Sequence, residues 1–94
     1  MTEQDVDALT VRWEKDGELV VDELDKRVFV HGAWATGLFR YRDRDHKTNE
    51  WKEPRVALRR YRKRRAGWVV EAKMTFSLEQ VRELAEVLGE YAGD

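Results

Sequence analysis

The chain has no cysteine, one proline and two histidines among its 94 residues. Without cysteine there are no disulfides, thiolate metal ligands or thiol nucleophiles, and the composition suits a reducing compartment. So few prolines, with six glycines, argue against a low-complexity, disordered chain. No apolar run reaches the roughly 20 residues of a membrane-spanning helix. The start, Met1 to Asp7, is acidic and polar, lacking the basic and apolar regions of a signal peptide. These absences lead us to expect a cytoplasmic protein that does not enter a membrane.

Catalytic signatures are missing too. The sequence contains no glycine-rich phosphate loop, no nucleophile elbow and no HExxH pair. Asp43-Arg44-Asp45-His46 has the residue types of a metal site but no recognised ligand spacing, so it reads as a solvated loop. His31 alternates with Phe29 and reads as a half-buried strand residue. The expectation is a protein with no enzymatic activity, no cofactor and no metal.

What is present is charge, unevenly placed. Charged residues make up 39% of the chain and hydrophobic residues 41%, enough apolar material for the core of one small domain spanning 1–94. Residues 1–39 carry four basic and nine acidic side chains, a net of −5. Residues 40–65 carry twelve basic and four acidic, a net of +8, and residues 66–94 carry a net of −4. A basic block framed by acidic flanks bears on partners rather than on fold.

The chain reads as strands followed by one helix. Val11 and Trp13 alternate within Ala8 to Glu14. Asp16-Gly17 suits a tight hairpin, because both residues tolerate positive φ. Glu18 to Leu24 and Lys26 to Gly32 read as two β-rich runs, and 32–37 as a turn or irregular crossing. Leu38 to Arg44 alternates strictly, with Phe39 and Tyr41 on one face and Arg40, Arg42 and Arg44 on the other. Residues 45–53 are loop. Pro54 precedes a strand over Arg55 to Arg64, with Val56 and Leu58 expected inward. Ala66-Gly67 turns the chain into Trp68 to Phe76, whose Trp68, Val70, Ala72, Met74 and Phe76 are expected to share a face. Ser77 and Gln80 fit a capping box, with Phe76 and Val81 at the staple positions. Leu78, Val81, Leu84, Ala85, Leu88 and Tyr91 form one apolar stripe at helical spacing. The fold expected is α+β: an antiparallel sheet of five or six strands, then one C-terminal amphipathic helix packed on it. A pleckstrin-like roll is the structural alternative.

The basic block supplies the candidate site. Alternate strand residues recur at roughly 6.5 Å, near the phosphate repeat of an extended single strand. Arg40, Arg42, Arg44, Arg55, Arg59, Arg60, Arg62, Lys63, Arg64 and Arg65 are candidate phosphate ligands, with Trp51 and Tyr61 as rings for stacking bases. The charged far end of the second arginine strand is expected to project as a two-stranded finger. Leu84, Leu88 and Tyr91 are candidates for a homodimer interface. The expected function is binding of single-stranded DNA or RNA in transcription, replication or repair. The alternative is a protein-interaction module, or a transcription regulator docking its basic hairpin on an acidic partner, with acids elsewhere in the chain competing for the same arginines.

Val56-Ala-Leu58-Arg-Arg-Tyr61, then Met74-Thr-Phe-Ser77-Leu78-Glu79-Gln80-Val81 and Leu84, resemble the PC4 (p15) transcriptional-coactivator family. The resemblance covers about 50 residues, all in the C-terminal half. It implies a curved sheet that binds single-stranded DNA and an apolar helix used for dimerisation. It would place Arg40, Arg42, Arg59, Tyr61 and Arg62 on the strand. The family's Gly/Lys-rich approach to the helix is replaced here by Glu71-Ala-Lys-Met74.

Overall fold

The computed structural model describes residues 6–93. Five antiparallel strands follow one another in sheet order: β1 (Trp13–Lys15), β2 (Glu18–His31), β3 (Trp34–Asp43), β4 (Arg55–Arg64) and β5 (Gly67–Ser77). A helix, α1 (Leu78–Gly93), follows β5. This is the expected α+β arrangement, with five strands.

Turn chemistry sets the register. Asp16 and Gly17 both have positive φ, +54° and +82°, as a two-residue hairpin loop between right-twisted strands requires. The second hairpin corrects the sequence reading. Gly32 (φ +61°) and Ala33 alone make the turn, so β3 starts at Trp34 and the expected irregular stretch is largely strand. The two runs expected over Glu18–Gly32 are likewise one 14-residue strand. A bulge between Glu23 and Asp25 absorbs Leu24 and lets the pairing continue.

Strand alternation sorts side chains between two faces. On the inner face Phe39 pairs across to Ala57, and Ala35 to Tyr61. These four, with Tyr41 and with Val11 from the segment before β1, are the buried residues of the core. Val56 and Leu58, expected inward, lie on the outer face and are half-buried. The cause is one residue of phase. Val56 and Leu58 are the larger aliphatics, but the register with Phe39 turns the small Ala57 inward, where the aromatic ring needs room. A second bulge shifts Arg60↔Ala72 to Tyr61↔Val70, leaving Glu71 as the extra residue. Trp68 and Val70 therefore face inward, while Ala72, Met74 and Phe76 face outward, splitting the set expected on one face.

The molecule is 18 Å across in its thinnest direction, which fits one sheet with partial cover, since packed layers lie about 10 Å apart. The N-terminal segment supplies that cover on the inner face. Lys26 Nζ donates to the carbonyls of Asp7 and Leu9, 2.7 Å each. Glu23 Oε1 accepts from Thr10 Oγ1 (2.6 Å) and from the Val11 amide (3.3 Å). Helix α1 starts at the capping box: the Gln80 amide donates to Ser77 Oγ at 3.1 Å, and the Ser77 amide to Gln80 Oε1 at 2.9 Å. It packs on the ends of β4 and β5. Leu78 and Val81 are half-buried, whereas Leu84, Leu88 and Tyr91 stay exposed. The helix runs through Gly89 and ends at Gly93.

Candidate nucleic-acid interface

Pairing and alternation divide the basic block in two. Arg40 lies opposite Val56, Arg60 opposite Thr36 and Arg62 opposite Trp34, all on the outer face. Arg27 of β2 lies opposite Leu38 on that same face. All four arginines are exposed, and none forms an ion pair among the described residues. Arg55, Arg59 and Lys63 belong to the inner face and are half-buried. They lie over the core aromatics: Arg55 is 5.8 Å from the Tyr41 ring centroid, Arg59 5.9 Å from Phe39 and Lys63 5.3 Å from Trp68. Their aliphatic stems cover apolar surface while their heads stay near water. These three do not join the outer group, so the single patch expected from sequence is two patches, back to back.

At the outer patch, Arg60 and Arg62 lie 4.8 and 4.9 Å from the centroid of the Trp34 ring. Contacts inside about 6 Å are within the range of cation–π attraction, worth roughly 0.5–1 kcal/mol each when exposed. More important here is orientation. The ring holds two guanidinium groups side by side, one strand repeat apart, without consuming their N–H donors. From the level of Trp34 to Arg40 the face runs about 20 Å, or three phosphate intervals of an extended strand. Trp34 was missed from sequence because it sits just past Gly32, inside what reads as a turn. Arg27 was missed because it falls in the acidic third of the chain. A two-residue turn at Gly32-Ala33 would have put Trp34 in phase with Arg40 and Arg42, and that was the available signal.

Much of the rest of the block is structural or neutralised. Arg42 and Arg44 stack on Trp51 at 4.2 and 4.5 Å. Arg42 also pairs with Asp22 at 3.1 Å. Arg44 donates to the Leu19 carbonyl and reaches the carbonyl and side chain of Asn49. Trp51 also bridges to Arg44 through its backbone. Together they pin the 45–53 loop to the sheet. In that loop Asp45 accepts from the amides of Lys47 (2.8 Å) and Thr48 (3.3 Å), and these bonds hold its carboxyl below the usual range. Asp43 lies 3.8 Å from Arg55 and 3.9 Å from Lys52. Arg64 pairs with Glu71 at 3.2 Å. Arg65 is exposed in the β4–β5 turn.

Two expectations for this region are corrected. Tyr61 is 2% exposed and belongs to the core, so no base can stack on it. Burial pushes its phenol pKa up; Arg59 is near enough to oppose this without meeting hydrogen-bond geometry. The projecting finger is also absent, because Arg62 pairs with both Trp34 and Val69 and the Lys63 amide still donates to Ala33. Only the last residues of the hairpin extend past β3.

Among the described residues no group of histidines and carboxylates could hold a metal ion, and no helix is long and apolar enough to cross a membrane. A cleft of about 590 Å³ lies between residues 52–55 and the start of α1. Lys52, Arg55 and Arg82 share it with Glu53 and Glu79, a mixed lining with little net field. Comparison with protein-family models, with curated proteins and with solved structures gives no match to this chain.

Proposed function

We propose that this protein binds single-stranded nucleic acid across the outer face of its sheet, and acts in transcription, replication or repair. The observation that carries this reading is the exposed Arg60–Arg62 pair on Trp34, which forms no ion pair among the described residues, with Arg27 and Arg40 on the same face and Asp25 opposite Arg40 in register. Like charges held side by side on a sheet repel one another, and a polyanion relieves that repulsion. A single strand suits the site better than a duplex. It can follow a twisted row of arginines, whereas a duplex with a persistence length of about 50 nm resists bending onto it. The resemblance of 56–61 and 74–84 to the PC4 (p15) family supports the same assignment. A cysteine-free chain suits the cytoplasm.

The exposed stripe of Leu84, Leu88 and Tyr91 supports a homodimer through α1. Analytical ultracentrifugation of the intact chain and of Leu88→Glu tests it: a dimer that dissociates in the variant is expected, and a monomeric parent chain refutes it.

Fluorescence anisotropy with labelled single- and double-stranded oligonucleotides across a salt series tests the function. With about four phosphates engaged, log K for the single strand falls with log salt at a slope near −3. Affinity indifferent to salt, or absent at low salt while an acidic protein is captured, refutes it in favour of a protein-interaction module.

A further inference from the structure

We infer that the outer face reads phosphates and not bases, so that a base-free polyphosphate chain is as good a ligand as a nucleic acid. This rests on the single-strand reading for its site but goes further on what the site recognises.

The aromatic rings decide it. Base stacking needs an open ring beside the backbone track. Tyr61 is buried at 2% exposure and Phe39 is fully buried. Trp34 lies under Arg60 and Arg62, and Trp51 under Arg42 and Arg44. Trp68 is on the opposite face under Lys63. Two aromatic rings of the sheet are exposed among the described residues: Trp13, at 54%, on the edge strand β1 opposite Val21 and remote from the row, and Phe29, at 50%, on the outer face. Phe29 lies two residues along β2 from Arg27 and across β3 from Arg60, through Thr36, so it borders the row at Arg27 alone and is two strand spacings, about 10 Å, from the Arg60–Arg62 pair. What the row offers is guanidinium edges, which carry N–H donors spaced for the oxygens of a phosphate. The rings act behind those groups as positioning residues.

Affinity of the intact protein is measured for three ligands at one salt concentration: an oligothymidylate of about twelve nucleotides, an abasic oligonucleotide of the same length, and inorganic polyphosphate of matched phosphate number as competitor. Stacking on an exposed ring is worth roughly five- to a hundredfold per base. Removing all the bases is therefore expected to change affinity by less than about tenfold here, with polyphosphate competing at similar concentration. A larger loss on the abasic strand, or a polyphosphate that does not compete, overturns the inference and leaves the single-strand reading in place. Polyphosphate binding with no oligonucleotide binding keeps the inference and refutes the nucleic-acid reading; binding of none refutes both. Phe29→Ala, at an exposed position where folding is not at stake, is expected to leave oligonucleotide affinity within about twofold, and a drop of fivefold or more overturns the inference.

Discussion

Tyr61 separates a structural role from a binding role. Its ring is 2% exposed and packs in the cluster of Ala35, Phe39, Tyr41 and Ala57. Its hydroxyl is buried without a protein hydrogen-bond partner among the described residues. Two substitutions should therefore have opposite consequences. Tyr61→Ala removes the whole ring from a core of six buried residues and should cost about 3–5 kcal/mol. A domain of this size has about 5–15 kcal/mol in all, so the variant is at best marginally folded, with a melting temperature lower by more than about 12 °C. Tyr61→Phe keeps the ring and removes the unpartnered hydroxyl. Its stability should be unchanged or higher by up to about 1 kcal/mol, because no hydrogen bond is lost and a buried polar group is.

Urea unfolding followed by tryptophan fluorescence measures both variants, and oligonucleotide anisotropy measures what remains of binding. Tyr61→Phe should bind as the parent chain does. A loss of stability above about 1 kcal/mol in Tyr61→Phe would mean the hydroxyl is satisfied after all. A folded Tyr61→Ala with intact stability and lost affinity would refute the core assignment and restore the ring to the binding surface. The raised phenol pKa adds a pH test. The group stays protonated in the folded chain above the point where it ionises in the unfolded one. Its contribution is complete below pH 10 and is lost as pH rises from there through the folded value. Tyr61→Phe should flatten that part of the alkaline stability curve.

Replacing Arg60 and Arg62 together with glutamine should leave stability nearly unchanged and reduce the steepness of the salt dependence by about 1.4, two phosphate contacts at roughly 0.7 each; Arg55→Gln, on the other face, should not change the slope. Gly37→Ala should destabilise by about 1–3 kcal/mol, because the added Cβ would lie 2.7 Å from the Phe39 ring and 3.2 Å from Tyr61; a neutral result in thermal melts would mean the core has slack there. Ser77→Ala should cost about 1 kcal/mol through loss of the cap, read as a lower urea midpoint with unchanged slope, and an unchanged midpoint would show that the bond to the Gln80 amide is dispensable.

Local chemistry made much of this fold legible. Asp16-Gly17 demanded a hairpin, the alternation of Phe39 and Tyr41 against Arg40 and Arg42 demanded a half-buried strand, and Ser77 with Gln80 demanded a helix start. Each is settled within a few residues, and each stands in the structure. The misassigned faces of β4 and β5 have one physical origin, the parity of strands. A single residue of phase moves every side chain to the other face, and parity is set by partners remote in sequence. In β4 the choice between Val56 with Leu58 and Ala57 with Tyr61 depends on Phe39 lying opposite Ala57. In β5 it depends on a bulge at Glu71 that composition does not reveal.

The same dependence governs the candidate site. Twelve basic side chains within residues 40–65 look like one positive surface, but β4 must send alternate residues to opposite faces. An uninterrupted run such as Arg59-Arg60-Tyr61-Arg62-Lys63 therefore cannot be a single patch. It is two interleaved ones, and the core decides which is spent on packing. Because Tyr61 is drawn inward, Arg59 and Lys63 go with it and cover aromatic surface. Arg60 and Arg62 are left outside, where Trp34 aligns them. Deleting Leu58 would by parity bring Arg59 and Lys63 to the outer face, but it would also turn Tyr61 out of the core, so the comparison is made only on chains shown to be folded. If the surface positive charge alone carried binding, such a shift would be tolerated wherever the chain still folded. If the Trp34-backed pair carries it, affinity falls although the net charge of −1 is unchanged.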